Sequence, residues 1–200
     1  MPQSRSAVAL FLCALLLMNM SLPVAASAQT QPLAAGCPVI VKNGNFEAEG
    51  ANWTQSGAGF ALITDFNPRA GAYSADLGGV NNADHSIRQT LTLPGGKPLR
   101  LSFWWEQSTQ ETAPGTSADY MTVSLLKVDG SLMEELGRLG ADPDQPTWEK
   151  VTYDLSAYAG QTVQLQFLAH NDGTNPTRFF VDDVGIPACR AYLPLLRSNK

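Results

Sequence analysis

Few residues of this chain have the types and spacing that catalytic chemistry requires. Only two histidines, His85 and His170, are available as general bases, so a Ser/His/Asp triad has few ways to form. The sequence contains no nucleophile elbow, zinc-protease helix, P-loop or dinucleotide-binding glycine motif. None of the 18 acidic residues forms a pair whose spacing indicates a glycosidase. We therefore expect no enzymatic activity. The alternative, a small hydrolase, would need two acids, or an acid and a histidine, converging in a cleft.

The charge balance excludes two broad classes of partner. The chain has 200 residues, of which 13 are basic and 18 acidic, and its formal net charge is −5. Phosphate binding needs a basic face, so nucleic acid is not expected as a partner. The same deficit of basic residues argues against a polybasic membrane anchor. The hydrophobic fraction of 44% is high enough to build a folded core.

Short alternating segments separated by turns must position any functional side chain. Tyr120–Val128 and Ser131–Leu139 are typical of two strands joined by a hairpin turn at Asp129-Gly130. The other expected strands are Gly59–Thr64, Tyr73–Gly78, Ser86–Leu93, Leu99–Gln107, Trp148–Leu155, Thr162–His170 and Arg178–Ile186, with one short helical turn at Ser156–Gly160. Nine or ten strands with one polar face each predict an all-β sandwich of two antiparallel sheets.

Two of these strands carry side chains that could hold a polar ligand. Apolar and polar residues alternate in Leu99–Gln107 and again in Thr162–His170. The polar faces consist of Arg100, Ser102, Trp104 and Glu106 in the first strand, and Gln164, Gln166, Leu168 and His170 in the second. The opposite faces, which include Trp105, are expected to line the core.

The beginning of the chain has the features of an export signal. Residues 1–28 contain Arg5, an apolar run from Ala7 to Met18 that is too short to span a bilayer, and the cleavage motif Ala26-Ser27-Ala28. Residues 29–36 are then a polar, flexible leader. We expect a secreted protein, extracellular or associated with the cell surface, exported in the bacterial manner and without a transmembrane segment in the mature chain. The alternative is a lipoprotein modified at Cys37, because residues 34–37 vaguely resemble a lipobox.

Two cysteines would remain after the signal is removed. Cys37 and Cys189 lie at the two ends of the expected domain, residues 37–189. In an oxidising compartment they are expected to pair; two unpaired thiols are the alternative. Residues 190–200 form a separate short apolar tail.

Four segments resemble, in their order and spacing, the calcium-containing jelly-roll carbohydrate-binding modules, which are galactose-binding-like β-sandwiches. Residues 43–47 resemble the N-G-x-F-E opening of these modules, and residues 69–77 resemble the strand that follows it. Residues 148–156 and 172–184 resemble the late strand with its short turn and the closing strand. The resemblance covers about residues 43–186, and it implies the fold more strongly than the ligand.

The resemblance also implies a structural calcium site between the two ends of the domain. A hard cation binds several oxygens from different chain segments. The expected ligands are the side chains of Glu47, Asp182 and Asp183, and backbone carbonyls near Asn45, Ala72 and Ser74. The carboxylates meet only if the first and last strands are neighbours. The alternative is that Asp182-Asp183 ends a strand in solvent and Glu47 is a surface charge.

A glycan-binding site on one concave sheet face is a further implication of the resemblance. Such sites combine aromatic stacking on the sugar with polar groups that meet its hydroxyls. If the two polar strands are neighbours in one sheet, the binding residues are Trp104, Arg100, Glu106, Gln164, Gln166 and His170. Tyr120 is a weaker candidate at the rim. Ordinary packing beneath a loop is the alternative for Trp104.

The sequence thus predicts a secreted, calcium-stabilised, non-catalytic module that binds a polysaccharide or glycan. The first alternative is a cell-surface adhesion or structural module that binds a protein. An exposed Trp104 in a polar groove would favour sugar, whereas a flat apolar patch would favour a protein partner.

Overall fold

The computed structural model describes residues 39–96, 98–112, 118–145 and 147–187, all within one compact unit. The predicted signal and leader, both predicted disulfide cysteines, Cys37 and Cys189, and the tail lie outside these residues. Within the described residues, no helix is long and apolar enough to cross a membrane.

Within the described residues, ten strands form two five-stranded antiparallel sheets, which confirms the predicted all-β sandwich. The strands are β1 (Thr54–Ser56), β2 (Ile63–Thr64), β3 (Ser74–Gly78), β4 (Ala83–Thr92), β5 (Arg100–Thr109), β6 (Tyr120–Leu126), β7 (Leu132–Gly140), β8 (Glu149–Asp154), β9 (Thr162–Asn171) and β10 (Thr177–Gly185). A 3-10 turn occupies Ser156–Tyr158. Sheet 1 has the order β1-β4-β9-β6-β7, and sheet 2 has the order β2-β3-β10-β5-β8.

The core lies between the inner faces of the two sheets. Leu101, Phe103 and Trp105 of β5 are buried, as their alternation with polar residues predicts. The rings of Phe103 in sheet 2 and Phe167 in sheet 1 meet edge to face, with centroids 5.0 Å apart. This contact joins the central part of both sheets.

Strand boundaries follow the sequence pattern closely, except near residues 54–64. Strand β1 was not expected, and only Ile63–Thr64 of the expected strand Gly59–Thr64 pairs with a neighbour. Gly57 adopts a φ of +94°, which breaks the extended conformation just after β1. The side chain of Gln55 then accepts a hydrogen bond from the Leu62 amide, which fixes the intervening loop without a strand.

The two ends of the domain are neighbours, as a shared calcium site would require. The Val184 amide donates to the Gly44 carbonyl at 2.7 Å. A Cβ atom at Gly44 would lie 1.9 Å from the Val184 carbonyl oxygen, so only glycine fits this approach. The N-terminal segment is therefore fixed directly against the last strand.

Candidate functional site

The six predicted ligand-binding residues do not form one cluster. Strand β5 belongs to sheet 2, whereas β9 belongs to sheet 1. Both strands turn their apolar residues to the shared core, so their polar faces point away from each other. The condition for a single site, that the two strands are neighbours in one sheet, is not met. Arg100, Trp104 and Glu106 lie on one outer face, and Gln164, Gln166 and His170 lie on the other.

The outer face of sheet 2 is covered in its middle by the loop of residues 65–73. Phe66 stacks on Phe180 of β10, with ring centroids 5.9 Å apart. The Arg69 guanidinium lies 4.2 Å from the centre of the Trp104 ring. A sugar could not stack on that side of Trp104 without displacing Arg69. The alternative of packing beneath a loop describes Trp104 better than a free binding platform does.

Arg100 and Glu106 lie to either side of Trp104 on β5, but not in a shared pocket. Arg100 is exposed at the start of the strand, opposite Asp154 of β8. Glu106 is half-buried opposite Phe180. Arg100 and Glu106 are six residues apart on β5, so the predicted polar groups of this strand do not converge on one point of the face.

The outer face of sheet 1 carries a continuous row of polar side chains across its central strands. The strand register places Asp84 of β4 opposite His170 of β9, and His170 opposite Tyr120 of β6. Thr122, two residues along β6, lies opposite Arg138 of β7. Since alternate residues of a strand share one face, all these side chains point outward together.

Each side chain in this row contacts the next one across the sheet. His170 Nδ1 lies 2.7 Å from Asp84 Oδ1. The His170 ring stacks on the Tyr120 ring at 5.0 Å between centroids, and the Arg138 guanidinium lies 4.0 Å from the Tyr120 ring centre. Arg138 in turn pairs with Glu135 at 3.3 Å. We call the row Asp84, His170, Tyr120, Arg138 and Glu135 the polar ladder.

Other polar side chains lie on the same outer face, further along β9. Gln166 lies between Arg88 of β4 and Ser124 of β6 in the strand register. Gln164 lies one step further and donates its amide hydrogen to the Val128 carbonyl at 2.9 Å. Hydrogen-bonding groups therefore occupy two successive outward positions of β9, and the apolar Leu168 separates them from His170 of the ladder.

An acid and a histidine thus meet on this face, but not in the arrangement of a hydrolase. The Asp84 side chain is 68% exposed and the His170 side chain is 36% exposed, so the pair lies on an open surface rather than in a cleft. Within the described residues, no serine or threonine hydroxyl is hydrogen-bonded to His170. The contact with Asp84 holds the His170 imidazole in place beside Tyr120.

The predicted metal ligands gather around the loop that covers sheet 2. The Glu47 carboxylate accepts hydrogen bonds from the Ala72 amide at 2.9 Å and the Tyr73 amide at 3.1 Å. The Asp182 carboxylate accepts from the Arg69 amide at 3.0 Å and the Ala70 amide at 3.3 Å. Both carboxylates are therefore fixed to the same loop by backbone hydrogen bonds.

Asp182 is the most unusual acid of this group, because it is completely buried on the last strand. Burial raises the pKa of the Asp182 carboxyl to about 6, although the amides of Asp183, Ala70 and Arg69 counteract part of the rise. Asp183 instead points to Arg69 at 3.0 Å. The alternative in which Asp182 ends a strand in solvent is excluded by its burial.

The remaining predicted ligands are less closely involved. Ser74 donates its hydroxyl to the Asn67 carbonyl at 3.0 Å, and Asn45 is exposed. Within the described residues, no group of three acidic, histidine or cysteine side chains is arranged to hold a metal. A cation here would depend on Glu47, Asp182 and backbone oxygens. That donor set is chemically suitable for calcium.

Sequence reasoning missed Asp84, Arg88, Arg138 and Glu135 as members of a site. The alternation of β4 does place Asp84 and Arg88 on the polar face, so the signal was present. What no pattern could supply was the placement of β4 and β9 beside the predicted β6–β7 hairpin, because these segments are distant in the sequence. Tyr120 was named only as a rim residue, but it lies at the centre of the ladder.

Known structures with the same fold include carbohydrate-binding modules. A family 61 module, TmCBM61, solved in complex with β-1,4-galactotriose, has a TM-score of 0.54 and 16% sequence identity, over 76% of this chain and 99% of that one. A structure of carbohydrate-binding modules from the β-sandwich superfamily, described as promiscuous in specificity, has a TM-score of 0.50 and 14% identity, over 76% and 63% of the chains. The predicted carbohydrate-binding-module type of β-sandwich is confirmed.

An adhesin domain has a comparable fold. The K1 cleaved adhesin domain of Lys-gingipain from Porphyromonas gingivalis W83 has a TM-score of 0.50 and 21% identity, over 73% of this chain and 96% of that one. No protein-family model matches the sequence. No curated protein matches it either. These likenesses establish the fold; the ligand has to be argued from the side chains.

Proposed function

We propose that this protein is a non-catalytic carbohydrate-binding protein and that the sugar binds to the outer face of sheet 1. The observation that carries the proposal is the polar ladder, in which five side chains from four strands contact one another across an open face. Carbohydrate-binding modules among the structural neighbours support the class of ligand.

Hydrogen bonding, rather than stacking, dominates the proposed recognition. His170 and Arg138 both contact the Tyr120 ring, so this ring is not proposed as a stacking platform for the sugar. The His170 imidazole, held through Nδ1 by Asp84, presents its other nitrogen. The Gln166 amide supplies a donor and an acceptor four residues along β9 from His170, about 13 Å away at the usual rise of a strand. Polar groups that are held in fixed positions in this way are suited to hydrogen-bond the hydroxyl groups of a sugar.

The outer face of sheet 2 is the less favourable site. Trp104, whose ring lies on this face, is capped by Arg69. The loop of residues 65–73 lies over the neighbouring Phe180. Binding there would require the loop to move and its hydrogen bonds to Asp182 to break.

We also propose that calcium binds between Glu47 and Asp182 and stabilises the fold. The support is the buried Asp182 carboxylate, whose charge a cation would offset, and its attachment to the same loop as Glu47. Secretion, with removal of residues 1–28 and pairing of Cys37 with Cys189, remains part of the proposal. A secreted protein would encounter polysaccharides outside the cell, in agreement with the proposed ligand.

Calcium binding can be measured by the shift in melting temperature between chelator and excess calcium. We expect a calcium-dependent rise in the original protein, because ligands that bind only the folded state stabilise it. Glu47→Gln and Asp182→Asn should each remove that rise, whereas Glu134→Gln, at an exposed acid on β7 of sheet 1, should retain it. An equal calcium effect in all four proteins would contradict the site.

A protein-binding role is the second candidate, and the exposed apolar residues favour it. Phe60, Phe66 and Val80 are 60%, 64% and 47% exposed. The fold likeness to an adhesin domain is compatible with this role. Large exposed apolar residues of this kind are found at protein interfaces when they form a continuous patch.

The proposed function is tested by a glycan-panel binding assay with one variant set on each face. Gln166→Ala and His170→Ala should each weaken binding roughly tenfold, because each removes hydrogen bonds worth about 1.4 kcal/mol. Trp104→Ala is the matched control on the opposite face and should leave the affinity unchanged. Circular dichroism checks that every variant is folded.

Two results would redirect the proposal. Loss of binding in Trp104→Ala alone would place the site on sheet 2. Absence of binding to every glycan by the folded protein would contradict carbohydrate binding and favour the adhesion role.

A further inference from the structure

We propose that the glycan is acidic and that its negative group binds in a pocket at the β1–β4 edge of sheet 1. This inference rests on the proposed function and names its ligand class. The pocket has a volume of about 280 Å³. Its polar lining consists of Lys42, Asn52, Thr54, Arg88, Gln89 and Thr90. We call it the cationic pocket.

The charge of this pocket is opposite to that of the molecule. The chain has a net charge of −5, yet the pocket lining contains two cations and no carboxylate. Within the described residues, neither Lys42 nor Arg88 is ion-paired, whereas Arg69, Arg138 and Arg178 each have an acidic partner. Two unpaired cations beside one cavity are suited to receive an anion.

The pocket is held in shape by a buried side chain. Gln89 is 6% exposed and forms two hydrogen bonds with the backbone of Lys42. Its Oε1 accepts from the Lys42 amide at 2.7 Å, and its Nε2 donates to the Lys42 carbonyl at 2.8 Å. This clamp fixes the Lys42 segment beside the strand that carries Arg88, so the two cations are brought to the same cavity before any ligand arrives.

The pocket is continuous with the proposed sugar-binding face. Arg88 is opposite Gln166 in the strand register, and Thr54 of β1 is opposite Arg88 on its other side. Along β4, Arg88 is four residues from Asp84, a separation of about 13 Å at the usual rise of a strand. A chain of sugars that contacts His170 and Gln166 can therefore reach Arg88 with a charged substituent.

The chemistry of the two cations defines the ligand. Arginine binds a carboxylate or a sulfate through two parallel hydrogen bonds, and lysine adds a compact charge. The two carboxylates of the ladder do not oppose such a ligand strongly, because Asp84 is bonded to His170 and Glu135 to Arg138. The shared chemistry is an anionic sugar substituent, for which uronate carboxylates and sulfate esters are the two sources.

The test compares three short galactose-based probes by titration calorimetry. They are a neutral β-1,4-galacto-oligosaccharide, an oligogalacturonate and a sulfated galacto-oligosaccharide. We expect an anionic probe to bind at least tenfold more tightly than the neutral one at low salt, and the advantage should shrink at high salt. Arg88→Gln and Lys42→Gln should reduce it, while Lys150→Gln, an exposed lysine on β8 of sheet 2, should not.

Each outcome separates this inference from the proposed function. Preference for the carboxylated or the sulfated probe identifies the source of the anion. Equal binding of all three probes, or an anionic preference that Arg88→Gln leaves unchanged, overturns the inference while carbohydrate binding stands. Failure of all three probes and of the wider glycan panel overturns the proposed function itself.

Discussion

At the scale of single residues, Gly44 and His85 each have a structural role that depends on the residue type. Gly44 allows the N-terminal segment to touch the backbone of Val184. His85 is 3% exposed, and its Nδ1 accepts a hydrogen bond from the Gly78 amide at 3.2 Å. Each has a role that its residue type alone explains, and each can be tested by a single substitution.

Gly44→Ala should destabilise the protein by at least about 2 kcal/mol, because the new methyl group collides with backbone atoms that cannot rotate away. Urea denaturation measures the change. Gly59→Ala is the matched control, since a Cβ atom there meets nothing within 4 Å. Equal stability of the two variants would mean that the Gly44–Val184 approach is not present in solution.

His85 should make stability depend on pH. Burial lowers the pKa of the His85 imidazole below its ordinary value of 6.5, and the Gly78 amide needs Nδ1 unprotonated. The unfolded chain therefore binds the proton more readily, so the stabilisation is present above about pH 6.5 and is lost as the pH falls below it. Denaturation at pH 7.5 and 5.5 should show a larger loss in the original protein than in His85→Gln, which retains an acceptor. A pH-independent difference would be inconsistent with this role.

At the scale of elements, the sequence predicts strands well and their partners poorly. Alternation in β5 and β9 identifies which side chains face the core, and both assignments are confirmed by burial. Alternation carries no information about which sheet a strand joins. The 65–73 loop could not be predicted to cover Trp104 either, because the Arg69–Trp104 contact depends on the fold that brings them together.

The stability of the protein should depend much more on the core between the two sheets than on the loop that covers sheet 2. Phe167→Ala should destabilise the protein by about 3–5 kcal/mol, because Phe167 is fully buried against Phe103. Phe66→Ala makes the same chemical change on a side chain that is 64% exposed, and it should cost about 1 kcal/mol. Denaturant titrations of both variants provide the comparison. A larger effect at Phe66 would mean that the loop is a structural element of the core.

At the scale of the whole molecule, the sandwich separates two tasks. The face of sheet 2 holds the loop, the buried Asp182 and the proposed cation, whereas the face of sheet 1 leaves its polar side chains available. The sequence predicted the sandwich, and the expected calcium site required the two ends of the domain to meet. The prediction combined residues of both faces into one site, because the order of strands within sheets is set by contacts between distant segments.

The assignment of sugar binding to sheet 1 is tested most directly by amide chemical-shift mapping. The isotope-labelled protein would be titrated with the tightest-binding oligosaccharide of the glycan panel. We predict that the largest shifts occur at Arg88, Tyr120, Gln166 and His170, with little change around Trp104. Shifts concentrated on Trp104, Glu106 and the 65–73 loop, with none on β4, β6 and β9, would contradict the assignment.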